Sequence, residues 1–110
     1  MTKYRNRKIE VDGIIFDSVK EASYYQDLKF LEQIGRIKNL QRQVKYELIP
    51  AQKGEIRNER SVSYIADFVY EENGETMVDD VKSEITRKDH AYIIKRKLMK
   101  WVHGIEVREI

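Results

Sequence analysis

Tyr64-Ile-Ala-Asp-Phe-Val-Tyr-Glu-Glu-Asn-Gly-Glu-Thr-Met-Val-Asp-Asp-Val-Lys82 is the stretch that decides the fold. Runs rich in β-branched and aromatic residues flank Asn73-Gly74, the strongest short hairpin signal, because both central residues of the favoured two-residue turn need positive φ. Strands are therefore predicted over 61–72 and 75–83. A two-residue turn also sets the register. Glu72 pairs with Glu75, Phe68 with Asp79, Asp67 with Asp80 and Ile65 with Lys82. Side chains alternate along a strand, so Asp67, Asp80 and Lys82 share one face while Asp79 points the other way.

Directly opposed residues have Cβ atoms roughly 5 Å apart, and like charges there are destabilising. Asp67 is embedded among Tyr64, Ile65, Ala66, Phe68, Val69 and Tyr70, which argues a central strand. Two carboxylates held together in such a place either share a proton or bind a cation. Oxygen-only donors favour Mg²⁺ or Mn²⁺ over zinc. Lys82 can reach a phosphate oxygen or a water beside the cation; a structural ion pair with one aspartate is the alternative.

Upstream, Asp12-Gly13 between short apolar stretches predicts a small N-terminal hairpin. Ser18-Val-Lys-Glu21 has the spacing of a capping box, opening a helix that runs to about Ile34, with Gly35 ending it. Its stripe is Tyr24, Leu28 and Leu31, with Tyr25 and Ile34 alongside. One turn back along that stripe stands Glu21, at the head of the face that packs on the sheet. A carboxylate there is costly unless something uses it. The capping box is a second reading, and the two are compatible. Residues 38–49 alternate with period two and predict a strand that ends at Pro50. Gln43, on this strand, is either a polar contact to the site or a solvent-facing residue. Residues 51–60 read as a polar loop.

After the central hairpin, a second helix is predicted over about 88–103, with Ala91, Ile94, Leu98 and Trp101 or Val102 as its apolar stripe. The last residues, 105–110, alternate as a short strand. The order is α-β-β-β-α-β behind the first hairpin: an α/β (α+β) domain, a mixed sheet flanked by helices. One domain over 1–110 is expected, since half this length cannot bury a core, with 1–7 as a mobile basic arm.

The formal net charge is only +2, but it is segregated. Residues 1–8 carry +4, residues 9–81 carry −6, residues 82–103 carry +5 and residues 104–110 carry −1. An acidic middle between basic segments suits a cation site between phosphate-gripping arms, although basic runs on a helix are usually a solvated face. The absence of cysteine excludes disulfide scaffolds, thiolate zinc sites and cysteine nucleophiles, and fits a reducing compartment. No apolar run is long enough for a transmembrane helix or a signal-peptide core. His90 and His103 lack the partner spacing of a metal site or a triad.

Glu21 on the first helix, Asp67 on one hairpin strand, Asp80-Val81-Lys82 on the next, and the α-β-β-β-α-β order together resemble the PD-(D/E)XK nuclease superfamily. The residue before Asp67 is Ala66 in place of the proline of that motif. The chain also resembles a family of small phage and prophage proteins of unassigned function, through Val11-Asp-Gly-Ile-Ile-Phe-Asp-Ser18, Lys20-Glu-Ala22, Leu48-Ile-Pro50, Tyr64-Ile-Ala-Asp-Phe68 and Asp80-Val-Lys82. The resemblance implies a restriction-endonuclease-like core and a metal-dependent DNA endonuclease or resolvase-like phosphodiesterase of phage or prophage type, working in the host cytoplasm. A non-catalytic DNA- or protein-binding module on the same fold is the alternative.

By that resemblance Asp67, Asp80 and the backbone carbonyl of Val81 would hold Mg²⁺ or Mn²⁺. Glu21 would hold a second metal or a water of its shell, and Lys82 would orient the attacking water. Lys3, Arg5, Arg7 and Lys8 would track a DNA backbone, and Lys88, Lys95 and Arg96 would contact phosphates beside the scissile bond, with Lys97 and Lys100 on another side. Tyr4 and Tyr25 are candidates for base stacking, with packing the commoner role. Besides DNA, the expected partners are a second copy of the chain or a phage replication, recombination or packaging protein.

Overall fold

In the computed structural model, which describes residues 8–110, Asn73 (φ 53°) and Gly74 (φ 80°) both take left-handed backbone. This is the two-residue turn that twists with its strands, and glycine adopts it at no steric cost. The chain runs β1 (Ile9–Val11), β2 (Ile14–Phe16), α1 (Val19–Gln33), β3 (Lys38–Ile49), β4 (Gln52–Lys53), β5 (Asn58–Glu59), β6 (Val62–Glu72), β7 (Glu75–Asp80), α2 (Glu84–Arg87), α3 (His90–His103) and β8 (Arg108–Glu109). The main sheet has the order β3-β6-β7-β8. Its first three strands are antiparallel, and β8 joins β7 in parallel. The result is a mixed α/β domain, a mixed sheet flanked by helices with a small N-terminal hairpin. The basic arm, with Lys3, Arg5, Arg7 and Tyr4, lies outside the described residues.

Two cores lie on the two faces of the sheet. Phe16, Ala22, Tyr25, Leu28, Ile37, Phe68 and Tyr70 pack under α1. Leu48, Tyr64, Ala66, Val69, Val78, Tyr92 and Met99 pack under α3. Burying a side chain such as Phe68 or Met99 is worth about 2–3 kcal/mol over leaving it in water. Tyr25 is buried against Phe16 and Phe68 and is not free to stack on a base.

Besides register shifts between Lys38 and Gln41 and between Glu47 and Ile49, the strands depart from simple alternation beside the site. Ala66 belongs to the core under α3, whereas Phe68, two residues on, belongs to the core under α1. On β3, Arg42 lies 4.6 Å over the Phe16 ring while Val44 packs under α3. Arg42 pairs with Phe68 and Val44 with Ala66, so Gln43 and Asp67 sit opposite each other where both strands change faces. Gln43 takes a φ of 52° there, an uncommon conformation for a residue with a Cβ.

Several expectations are corrected. β7 ends at Asp80, not at 83, and its ladder with β6 ends at Phe68–Asp79. Lys82 does not extend that ladder to Ile65; its N–H donates to the carbonyl of Ile110, because β8 has taken over the edge. The polar loop at 51–60 contains the β4–β5 ribbon, where a Cβ on Gly54 would stand 2.7 Å from the Arg57 carbonyl. The predicted second helix is α3, capped by Asp89, and it is preceded by an unpredicted single turn capped by Ser83. Of the predicted stripe of α3, Leu98 packs against the core, but its centre lies at Tyr92 and Met99. Tyr92 and Met99 are buried, whereas Ile94 is 57% and Trp101 86% exposed. Ile34 lies just past α1 and is exposed. The final strand covers only Arg108–Glu109.

Candidate active site

The site forms where β6 and β7 part company. Asp67 N–H donates to Asp80 Oδ1 at 2.7 Å, and Val81 N–H donates to Asp67 Oδ2 at 3.0 Å. Each carboxylate thus accepts a backbone bond from the other's strand, in the place of the next ladder pair. Gln43 Nε2 donates to Asp67 Oδ1 at 3.2 Å, so Gln43 is a contact of the site. Asp80 is fully buried, and its Oδ2 has no hydrogen-bond partner. Lys82 Nζ lies 3.5 Å from that oxygen.

Glu21 enters from α1. Its backbone N–H donates to the Ser18 hydroxyl at 3.1 Å, which is the N-cap half of the predicted box. Its side chain is buried at 8% exposure rather than turned to water. Burial raises its pKa, and the Asp67 charge raises it further, while the Arg42 guanidinium pulls it back. Burial also raises the pKa of Asp80, opposed by the Asp67 N–H and by Lys82. Glu21, Asp67, Val81 and Lys82 share one cleft of about 370 Å³ with Asp17, Ser18, Lys20, Ser83 and Thr86. Asp80 lies behind its wall. Among the described residues no three Asp, Glu or His side chains converge as a metal-ligating group.

Sequence reasoning missed Tyr92. Its ring lies 4.9 Å from Lys82 Nζ, so the ammonium is held between an aromatic face and Asp80. The Tyr92 hydroxyl donates to Glu109 at 2.6 Å, and Glu109 pairs with Arg96 at 2.9 Å. Arg96, expected to grip phosphate, is thus already paired with a carboxylate at the surface. Asp79 points to the opposite face, as the register requires. There it accepts from Tyr24, from Tyr70 at 2.6 Å, and from Arg108 Nε at 2.9 Å. No local pattern marked these partners, since Arg108 and Tyr92 reach them only through the β7–β8 pairing.

Of the remaining cations, Lys8 and Lys88 are exposed, and Lys95 is half-buried beside Lys82 in a second cavity. His103 contacts the Glu47 carbonyl at 2.7 Å, and His90 is an exposed helix residue, so neither joins the site.

Fold and site together define a small mixed α/β domain that brings Glu21, Asp67 and Lys82 to one cleft, with Asp80 buried against it. Residues 1–108 match the model of the family described as "Protein of unknown function (DUF1064)", and the chain belongs to that family. No curated protein and no solved structure matches the chain. No helix among the described residues is long and apolar enough to cross a membrane.

Proposed function

We propose that the protein is a metal-dependent DNA nuclease, an endonuclease or resolvase-like phosphodiesterase of phage or prophage type on a PD-(D/E)XK core. The observation that carries this reading is the mutual clasp of Asp67 and Asp80 with Lys82 on the free oxygen of Asp80. The donor chemistry suits Mg²⁺ or Mn²⁺: the set is all oxygen, and Asp80 Oδ2 is buried without a hydrogen bond. Asp67, Asp80, the Val81 carbonyl and Glu21 would hold the ion, which when bound neutralises phosphate charge and acidifies water. Lys82, fixed between Asp80 and the Tyr92 ring, presents an ammonium to the phosphate and to the attacking water. Glu21, ionised when the cation is bound, would hold a second ion or a water of its shell. Gln43 keeps Asp67 aimed at the end of β7.

One observation favours the alternative, a non-catalytic DNA- or protein-binding module. The carboxylates do not converge as a three-ligand group among the described residues. Incubation with Mg²⁺ or Mn²⁺ on linear, nicked, branched and single-stranded DNA decides between them, with Asp80→Asn and Lys82→Ala as controls. Cleavage by the parent alone supports the nuclease. Equal cleavage by the variants, or none by the parent, rejects it.

A further inference from the structure

Of the predicted apolar stripe of α3, Leu98 packs against the core but the rest stays at the surface and needs an occupant. Trp101 is 86% exposed, Ile94 57% and Val102 46%. Lys97 stands one turn before Trp101, and Lys100 is its neighbour. Both lysines line a groove of about 490 Å³ with Arg87 and Arg96. Two carboxylates share this groove. Glu109 holds Arg96 at 2.9 Å and lies 3.8 Å from Arg87 Nε, and Glu106 holds Lys100 at 2.9 Å. Arg87 Nε is nevertheless buried without a hydrogen-bond acceptor, and among the described residues Lys97 makes no ion pair. Exposed pairs such as Lys100–Glu106 are worth little, so a polyanion displaces them readily.

The geometry points to this outer face of α3 as a binding platform for single-stranded DNA, with an unpaired base stacked on Trp101 and the backbone tracked by Lys97, Lys100, Arg87 and Arg96. A planar aromatic face beside a row of cations is the combination that holds unpaired nucleotides. A second copy of the chain fits less well, because pairing two such faces sets lysine against lysine around a small apolar patch. The buried Tyr92 ring links the two regions, with Arg96 of the groove 5.8 Å from it and Lys82 of the cleft 4.9 Å from it. From Tyr92 to Trp101 is about 14 Å along the helix. This assignment rests on the DNA-processing reading and deepens it: the substrate carries an unpaired segment next to the cleavage site.

Trp101 is the sole tryptophan, so its emission reports the platform directly. The full chain is titrated in EDTA with an oligothymidine of about twelve nucleotides, with a duplex of equal length and with an oligoglutamate peptide. The expected result is saturable quenching by oligothymidine and little by duplex. Trp101→Ala, which has no tryptophan and is followed by the anisotropy of a dye-labelled oligothymidine, should weaken binding about tenfold while leaving the thermal midpoint unchanged. Lys97→Glu should weaken it too. Unchanged emission on binding, equal affinity of Trp101→Ala, or equal quenching by oligoglutamate overturns the assignment. So does a dimer in light scattering that Trp101→Ala abolishes. Because no metal is present, quenching without later cleavage rejects only the nuclease, and cleavage without quenching rejects only the platform.

Discussion

Asp67 and Asp80 hold each other through backbone amides: the amide of Asp67 donates to the Asp80 carboxylate, and the amide after Asp80 donates to the Asp67 carboxylate. Like charges that oppose each other across a hairpin repel. Here each is partly offset by an N–H dipole, and one also by Lys82. Asp80→Ala removes an acceptor from a part-buried amide and a counter-charge from Lys82. It should cost about 2–3 kcal/mol in urea unfolding. Asp80→Asn retains the accepting oxygen and should cost less than about 1 kcal/mol, yet abolish cleavage equally. Equal destabilisation by both would show that the clasp does not hold the strand ends.

Glu21 gives a prediction whose sign is opposite to that of most carboxylates. Its folded pKa lies above the ordinary 4.5, through burial and the Asp67 charge, and that of Asp80 lies above 3.8, chiefly through burial. Above those ordinary values the folded state binds more protons than the unfolded one, so metal-free stability falls as pH rises through the raised values. Glu106 and Glu109 are shifted down by Lys100 and by Tyr92 respectively, and their contribution is lost only as pH falls below 4.5. Glu21→Gln should therefore raise the melting midpoint in EDTA near neutral pH by about 4 °C, the equivalent of about 1 kcal/mol. It should also reduce stabilisation by Mn²⁺. Melting curves across the acid-to-neutral range with and without Mn²⁺ check both halves.

The hairpin register was legible because a two-residue Asn-Gly turn leaves one pairing, and the acids from Glu71 to Asp79 could be placed by counting. The change of faces at Gln43 and Asp67 was not legible. It depends on a positive φ at a glutamine and on two cores competing for one strand, neither of which has a local pattern. The stripe of α3 was misread for a related reason. Both Ile94–Trp101 and Tyr92–Met99 run at helical spacing, and the buried pair is the one that meets the sheet residues of the core and Glu109, partners from distant parts of the chain. Glu21 was placed correctly because its cap and its stripe position agree.

Asp79 anchors the opposite face and ties four elements: Tyr24 of α1, Tyr70 of β6, its own strand β7 and Arg108 of β8. It is fully buried. Burial, and after it this carboxylate, push the Tyr70 hydroxyl well above the ordinary tyrosine pKa. Asp79→Ala strands two tyrosine hydroxyls and a guanidinium, and should cost about 3 kcal/mol or more in denaturant unfolding. Arg108→Ala should cost less, since its side chain is 47% exposed and the tyrosines remain on Asp79. Tyr24 is one turn from Glu21, and Asp79 precedes Asp80. Asp79→Ala should thus also weaken the thermal shift with Mn²⁺, which Arg108→Ala should largely preserve.

The near-neutral total charge hides cations whose role is read from salt. If Lys8, Lys88 and Lys95 contact phosphates, DNA affinity in EDTA falls linearly with salt on logarithmic axes, each contact adding about 0.9 to the slope on duplex and about 0.7 on a single strand. Lys88→Ala and Lys95→Ala should each lower the slope by about one unit of contact and weaken all sequences alike, since phosphate contacts carry no base information. Arg96→Ala behaves differently. Its guanidinium is already paired with Glu109 and leans on Tyr92, so its loss frees Glu109 to repel the DNA as well as removing a cation. A larger drop in affinity for Arg96→Ala than for Lys95→Ala is expected at low salt, and the difference should shrink as salt screens the uncovered carboxylate. A flat salt response in the parent would remove the phosphate role from all of them.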